Sequence, residues 1–509
     1  MTKKLNIPSR ETGLRYEIES ARGVLPGSPV WKQMEPRSYP TPLGRENIKE
    51  RPSPIVPDRM ARKSAVVSFR NNAGIEIEVK PSPEFFDFMR VAMFAAVRAK
   101  REVSVTAVTE DGGDYSLTVA SGGGDYDDGD LIFVQGMDDA ANNGLFVVEA
   151  GATGTSIPVA GTLTTAATQT GTGRLVGHEF TAGDLEINSD GNLVTTAKDL
   201  TELPLLNGEF LLLGGDEDDT FFATAGNNTM LRADAISENL IETAKPLGAL
   251  ETDAGAGKTI RIFFASQVLK NESNPAEIVE SWIQLEQRMG APDTAEPGEV
   301  QYQYHEGGSV SEVSISLPQS GLVTATFTFM GSGHTMRDAA DGPKAGDRPA
   351  TDLVDPFNTA NNVVRSRLGI HDGESIVQVM SNMTLSINNN MSVLDGYGQP
   401  AFGTNEGEFG VSGSSEWFFQ DFEAAKAVEG NLTGTYDTQL FRDGAGISID
   451  MPALDLEGGV ANPVADNAIT VPISITGING RHARPELDHA LMVSKWEYIP
   501  QRHLPAQQT

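Results

Sequence analysis

The chain has 509 residues, 39% of them hydrophobic and 21% charged, with 53 glycines, no cysteine and a formal net charge of −32. That length exceeds one hydrophobic core and predicts two to four domains. The missing cysteines exclude disulfides, thiol catalysis and Cys-type metal sites and suit synthesis in a reducing cytoplasm. No stretch approaches the roughly 18–20 apolar residues of a membrane helix, and residues 1–8 lack the apolar core of a signal peptide, so neither membrane insertion nor export is expected.

Charge is distributed unevenly. Residues 1–100 hold 18 Lys and Arg against 11 Asp and Glu, a net +7, which leaves −39 on the remainder. A basic leading segment on an acidic body allows head-to-body pairing between copies.

In chain order, Leu14, Tyr16 and Ile18 mark a first short strand, followed by a proline-spaced loop to Pro40. Residues 41–63 carry four prolines and a basic excess and read as an extended arm, since proline removes donors and fixes φ. Residues 64–80 alternate, with Asn72-Ala73-Gly74 read as a turn between two strands. The clearest helix begins at Pro83 and runs through PEFFDFMRVAMFAAVRAK, with Ser82 placed to cap it and Glu84 at its positive end. From 102 to 250, strand-like pieces (DYSLTVAS, DLIFVQG, GLFVVEAG, SIPVAG, EFLLLGG, MLRADAIS) lie between Gly/Asp/Asn turns. They predict an inserted all-β region of two small modules meeting near residue 175. Strands return after 258 (TIRIFFASQVLKN, SWIQLEQRM, VQYQYHEGG, VSEVSISLP, LVTATFTFMG). Residues 336–368 read as a linker, and 369–509 as strands around one helix candidate, Ser414 to Val428.

An internal repeat emerges at an offset of 332 residues, where Glu76 meets Glu408, Val79 meets Val411, Glu84 meets Glu416 and Phe85 meets Trp417. Downstream, VSISLP (Val313–Pro318) resembles ISIDMP (Ile447–Pro452), and VTATFTFMG (Val323–Gly331) resembles ITVPISITG (Ile469–Gly477). The common order predicts a duplication, each half a β-sandwich or barrel with one flanking helix.

Chemistry-bearing motifs fail on spacing. DAGAGKT (Asp253–Thr259) ends like a phosphate loop but has Thr252 where that loop needs glycine. GTGRLVG and GYGQPAFG miss the dinucleotide spacing. The acidic runs GDYDDGD (Gly124–Asp130) and GGDEDDT (Gly214–Thr220) lack the EF-hand order and read as solvated loop tips. The seven histidines form no HxH, HxxxH or HExxH. No catalytic, cofactor or metal residues are expected, and the chain reads as a structural protein.

The opening ETGLRYEIESARGVLPGSPVWKQMEP (Glu11–Pro36), IEIEVKPSPEFFDFM (Ile75–Met89), SWIQLEQRMG (Ser281–Gly290) and GEFGVSGSSEWFFQDFEAAKA (Gly407–Ala427) resemble siphophage-type major tail (tail tube) proteins. DDGDLIFVQGMDDAANNGLFVVEAG (Asp127–Gly151) resembles a small β module often inserted in them. The resemblance implies a mainly β fold of two tail-tube-type antiparallel β-sandwich or barrel domains, each with a flanking α-helix, plus the inserted all-β region. The first domain would comprise 1–101 and 251–335, the insertion 102–250, the linker 336–368 and the second domain 369–509. It further implies a virion protein, made in the host cytoplasm, that self-assembles into stacked rings through which DNA is ejected. The rings would be pseudo-hexameric homotrimers, or homohexamers if the duplication fails. Tape measure protein would lie inside, with tail terminator and baseplate proteins at the ends and DNA passing without specific binding. Arg45, Lys49, Arg51, Arg59, Arg62 and Lys63 of the arm are the candidate inter-ring contacts. A baseplate hub or a surface-binding adhesin module is the alternative.

Overall fold

The computed structural model describes residues 12–502 except 54, 56–59, 245–249, 291–299, 339, 351–353, 371–374, 377–379, 398, 462 and 464–467. It is mainly β, with large antiparallel sheets and two α-helices among the described residues. The chain divides into two compact units. One comprises Met1–Ala96, Asn274–Thr359 and Ser381–Glu416, the other Val97–Ser273, Ala360–Met380 and Trp417–Thr509.

The first unit is organised on one 17-residue strand, Gln301–Leu317. Its leading half pairs with Ile283–Met289 and Gly333–Arg337, and its trailing half with Thr324–Gly331 and Met380–Asn388. The change of partner falls at Gly307-Gly308. Gly307 has φ +60°, and a Cβ on Gly308 would lie 2.9 Å from the Ile283 carbonyl, so both positions exploit the absence of a side chain. Thr324–Gly331 alternates strictly between buried and half-buried residues. Its Phe327 and Phe329 meet Phe88 of helix Pro83–Met93 edge to face at 5.1 and 5.4 Å, and Tyr16 closes on Phe88 at 5.0 Å.

The helix begins where the sequence places it but ends earlier. Met93 is its last residue, and Phe94 takes a left-handed conformation (φ 48°). Ser82 holds the N-cap backbone without a side-chain cap bond, so Pro83 and the extended Ser82 backbone, rather than a hydroxyl, start the helix. Asn72-Ala73-Gly74 is no turn: Ala65–Glu78 is one continuous strand between Pro36–Glu50 and Thr324–Gly331. Gly74 serves close approach instead, because a Cβ there would sit 2.8 Å from the Thr41 nitrogen. The proline-rich stretch is also a strand as far as Glu50. It tolerates Pro40 and Pro42 because the ladder to Ala65–Glu78 is bulged from Pro36 to Gly44 and has no second partner among the described residues.

Residues read as a linker are partly ordered on this unit. Lys344 donates to Gln284 (2.6 Å) and Glu306 (2.7 Å), and Arg348 makes two bonds to the buried Glu286 (3.0 and 2.5 Å). Strand Val363–Ile370 also falls in this stretch and belongs to the second unit.

In the second unit, twelve strands from Glu102–Asp111 to Arg261–Phe264 form one sheet. Every strand-like piece predicted between 102 and 250 is present in it. Two apolar clusters lie along the sheet. One spans Val103 to Leu175 with Phe264, the other Phe180 to Ile262. Arg261–Phe264, grouped by sequence with the returning strands, pairs instead with Gly171–Glu179 and Phe210–Leu213 inside this sheet. The region enters and leaves through adjacent strands, Arg98–Ala99 and Gln267–Lys270.

A third cluster joins Leu131, Val176, Phe210 and Phe263 to Phe441, Met492 and Trp496 of the C-terminal strands and to Ile499 after them. Beside it, the fully buried Arg232 pairs with Asp234 (2.7 Å) and Asp450 (3.3 Å) and donates to Thr435. The C-terminal strands are organised on another long strand, Ala445–Gly458. Gly446–Asp450 pairs with Met492–Trp496, and Leu454–Gly458 with Thr470–Gly477; Pro452, without a donor, marks the change. The predicted helix Ser414–Val428 is mostly wrong. Gly410–Phe418 is a strand with alternating burial, and the helix is Glu423–Glu429.

His305 is fully buried and bonds the Asn71 carbonyl, and burial pushes its imidazole down to about 4. The unfolded chain takes up this proton near pH 6.5, whereas the folded chain refuses it until about pH 4. Stability therefore falls on acidification through that window. The wild type should lose about 3 kcal/mol more than His305→Gln between pH 7 and pH 4 in urea unfolding. Gly74→Ala should cost about 1–3 kcal/mol through the clash with Thr41, read as a lowered Tm.

Candidate assembly surface

Strands Pro36–Glu50 and Ala65–Glu78 form a hairpin whose outer part is exposed on both faces: Arg45 to Glu50 on one strand and Ala65 to Val67 on the other. A two-stranded ribbon with neither face covered contributes little stability of its own. Arg45 lies over the Phe69 ring at 3.9 Å and donates to Asn47. Lys49 and Arg51 project at the end of the first strand, while Arg62 and Lys63 precede the second. These five cations share the hairpin; Arg59 lies outside the described residues.

The apolar side chains among these cations are the feature that sequence reasoning missed. Ile55 and Met60 are almost fully exposed, Val66 and Val67 are each 52% exposed, and Ile48 sits across the ladder from Ser68. The signal was present in Val66-Val67: adjacent residues of a strand face opposite ways, so both can be buried only if both faces are covered.

A second hairpin, Ser392–Gly396 with Gln399–Asn405, is tied to the first. Asp395 accepts two bonds from Arg70 (3.0 and 2.7 Å), and one oxygen also takes the Ser68 hydroxyl. It too presents apolar side chains, Leu394 and Tyr397. Such a surface can bury apolar area and pair strand edges, and the flanking cations would favour an acidic counterpart.

The sequence profile of the family described as phage tail tube protein matches residues 202–477, more than half of the chain. The chain belongs to the phage tail tube protein family. No curated protein matches it at a significant level. The family assigns a structural role in the tail of the virion and self-assembly into a tube. The matched stretch of this tail tube protein includes the second hairpin and both partner-changing strands; the first hairpin lies outside it.

Elsewhere the acidic runs of this tail tube protein are not simply solvated tips. Asp130 is buried and holds Arg101 (3.2 Å), His178 (3.1 Å) and the Asp127 amide (3.0 Å). Residues Asp216 to Asp219 are exposed but engaged by Arg502, Arg261 and Lys258. Lys258, the lysine of the phosphate-loop-like run, is thereby committed to Asp218 and Asp219. Among the described residues no cluster of three or more His, Asp or Glu is arranged to hold a metal.

The Arg70–Asp395 pair is partly exposed, at 27% and 41%. Asp395→Asn should cost less than about 1 kcal/mol overall. It should nevertheless speed hydrogen exchange across 392–405 relative to the rest of the chain.

Proposed function

We propose that copies of this tail tube protein close edge to edge into rings, that the rings stack into the tube, and that DNA is ejected through the lumen. The observation that carries this reading is the ribbon hairpin, which exposes Ile48, Ile55, Met60, Val66 and Val67 among its cations. That surface suits a neighbouring copy in the next ring, because the body of the chain carries the excess acid that would receive Lys49, Arg51, Arg59, Arg62 and Lys63. The same net acidity suits a conduit, since carboxylates repel phosphate and let DNA slide without sticking.

We further infer that the chain carries two related tail-tube folds, which would make the ring a homotrimer of pseudo-hexameric form. Support comes from topology. After each helix, a strand (Ile283–Met289 or Gly434–Arg442) pairs with the leading part of a long strand. A later strand (Thr324–Gly331 or Thr470–Gly477) then pairs with its trailing part. Residue matching supports this less well. At the 332 offset Glu84 lies in a helix and Glu416 in a strand, and ISIDMP precedes the partner change where VSISLP follows it. The inserted sheet reads as decoration outside the tube wall. Tape measure protein within the lumen and terminator and baseplate proteins at the ends complete the assignment.

Negative-stain microscopy with light scattering at rising concentration tests the assembly. Hollow tubes built from masses in threes are expected. Sixfold rings of single chains would remove the duplication, and a persistent monomer would count against self-assembly. Val66→Asp with Val67→Asp should leave a folded chain that forms no tubes; unchanged tubes would remove the hairpin from the contact.

A further inference from the structure

Within the second unit, two cavities open where the two modules of the inserted sheet meet. One, of about 610 Å³, is bounded by Gly129 and Val147 from the first module and by His178, Phe180 and Thr259 from the second. The other, of about 400 Å³, lies between Phe146 and Tyr498. They share Val147, Ala160 and Arg261 and so form one trough, of a size and position typical of small-ligand sites. Neither the tube reading nor the hairpin uses it.

The lining narrows the ligand. Asp128, Glu149, Glu179, Asp184, Asp216 and Glu217 contribute six carboxylates against two cations, Lys198 and Arg261. Both cations are already engaged: Arg261 with Glu179 (2.6 Å) and Glu217 (3.3 Å), Lys198 with Asp127 (3.7 Å) and Glu202 (4.0 Å). A phosphate, sulfate or acidic sugar would meet repulsion with no free counter-charge. A wholly apolar ligand would strip water from carboxylates and give nothing back. What fits is a neutral molecule rich in hydroxyls that also has apolar faces.

The trough supplies partners for both features. Carboxylates accept from hydroxyls, and the Arg261 guanidinium keeps further N–H donors. His178 is held in one orientation, with Nδ1 at 3.1 Å from the buried Asp130 and its ring edge-on to Phe180 at 5.0 Å, which leaves Nε2 as the nitrogen not engaged by Asp130. Tyr498 is held by two neighbouring rings, Phe133 at 4.9 Å and Phe263 at 5.6 Å, and with the half-buried Phe146 lines the trough as an aromatic platform for the C–H face of a sugar.

We propose that this trough binds a neutral oligosaccharide, with Phe146 and Tyr498 stacking on the pyranose rings and Glu149 and Asp184 at the rim accepting their hydroxyls. A tail carrying such troughs would hold a neutral glycan weakly at each subunit and firmly through many.

The test uses the full chain and saturation-transfer NMR at millimolar ligand. Maltohexaose, laminarihexaose, chitohexaose and mannohexaose serve as neutral probes, with a heparin hexasaccharide and oligogalacturonate as anionic ones. At least one neutral probe should bind, the anionic ones should not, and affinity should fall about tenfold or more in Glu149→Gln/Asp184→Asn and in Phe146→Ala. The carboxylate variant replaces the exposed Glu149 and the half-buried Asp184 by near-isosteric amides and removes no core side chain, so it keeps the test valid if Phe146→Ala unfolds. No binding by any neutral probe, preference for an anionic one, or unchanged affinity in the carboxylate variant overturns the proposal. Hydrogen exchange of trough residues that becomes protected on tube formation, with sugar binding lost, would assign the trough to a neighbouring copy and overturn it too. Tube assembly by the carboxylate variant should be unchanged, so this proposal and the tube reading fail separately.

Discussion

The structure depends on backbone hydrogen bonds along two long strands that change partners part-way. In these strands of 17 and 14 residues sheet twist draws neighbours apart, and each exchanges a neighbour part-way along. Gln301–Leu317 meets this with Gly307-Gly308, where the missing side chains let the chain bend between two pairs of neighbours. Ala445–Gly458 meets it with Pro452, placed where no ladder donor is required. Each solution keeps the donors and acceptors of both halves paired, which a buried sheet demands. The aromatic core of the first unit follows from it, since the trailing half of the strand holds Thr324–Gly331 in the position where Phe327 and Phe329 receive Phe88.

Burying charge is the second constraint. A chain with 70 acidic residues cannot place all of them on its surface without strong self-repulsion, and many are internalised in pairs. Glu286 with Arg348, Asp437 with Arg365, Glu209 with Lys100 and Asp450 with Arg232 are all buried on the acidic side. Such pairs add little net stability against apolar substitutes, but losing one partner strands the other. They therefore act as register locks. Arg348 fixes the 344–348 segment over the sheet at Glu286, and Arg232 fixes the inserted sheet at Asp450 and Thr435.

Strands were legible in the sequence wherever alternation and turn residues coincided, as throughout the inserted region, because period-two burial leaves a direct trace. Misreadings came where one residue type serves two purposes. Asn72-Ala73-Gly74 has turn composition, but its glycine admits the Thr41 backbone of a bulged neighbour. Pro40 and Pro42 argue against a central strand, correctly, yet an edge strand with bulges accepts them. SGSSEWFF reads as a capped aromatic helix start, but Val411, Ser415 and Trp417 are buried with outward residues between them, and tertiary pairing overrides the capping signal. At the hairpin the cations were visible and the exposed apolar residues were not, since a strand's lack of a covering layer is a property of the fold. The trough had no local signature at all: its residues come from eight separated stretches of chain, and only the folded sheet brings them together.

An assembling subunit must be folded alone yet reactive toward its own kind, and under the proposed assembly the hairpin would reconcile these demands. Its apolar residues are few and spaced by Lys49, Arg51, Arg62 and Lys63, charges that oppose indiscriminate strand pairing. The acidic bodies of two free copies repel over about a Debye length, roughly 8 Å at physiological salt, so random encounters are discouraged. A basic, apolar ribbon projecting from an acidic body reverses the sign of that interaction locally. Under the proposed assembly it would make one orientation of approach attractive while the others remain repulsive. Directionality of this kind is what separates an ordered polymer from an aggregate built of the same apolar contacts, and it costs the isolated subunit little, because the ribbon contributes little to its own core.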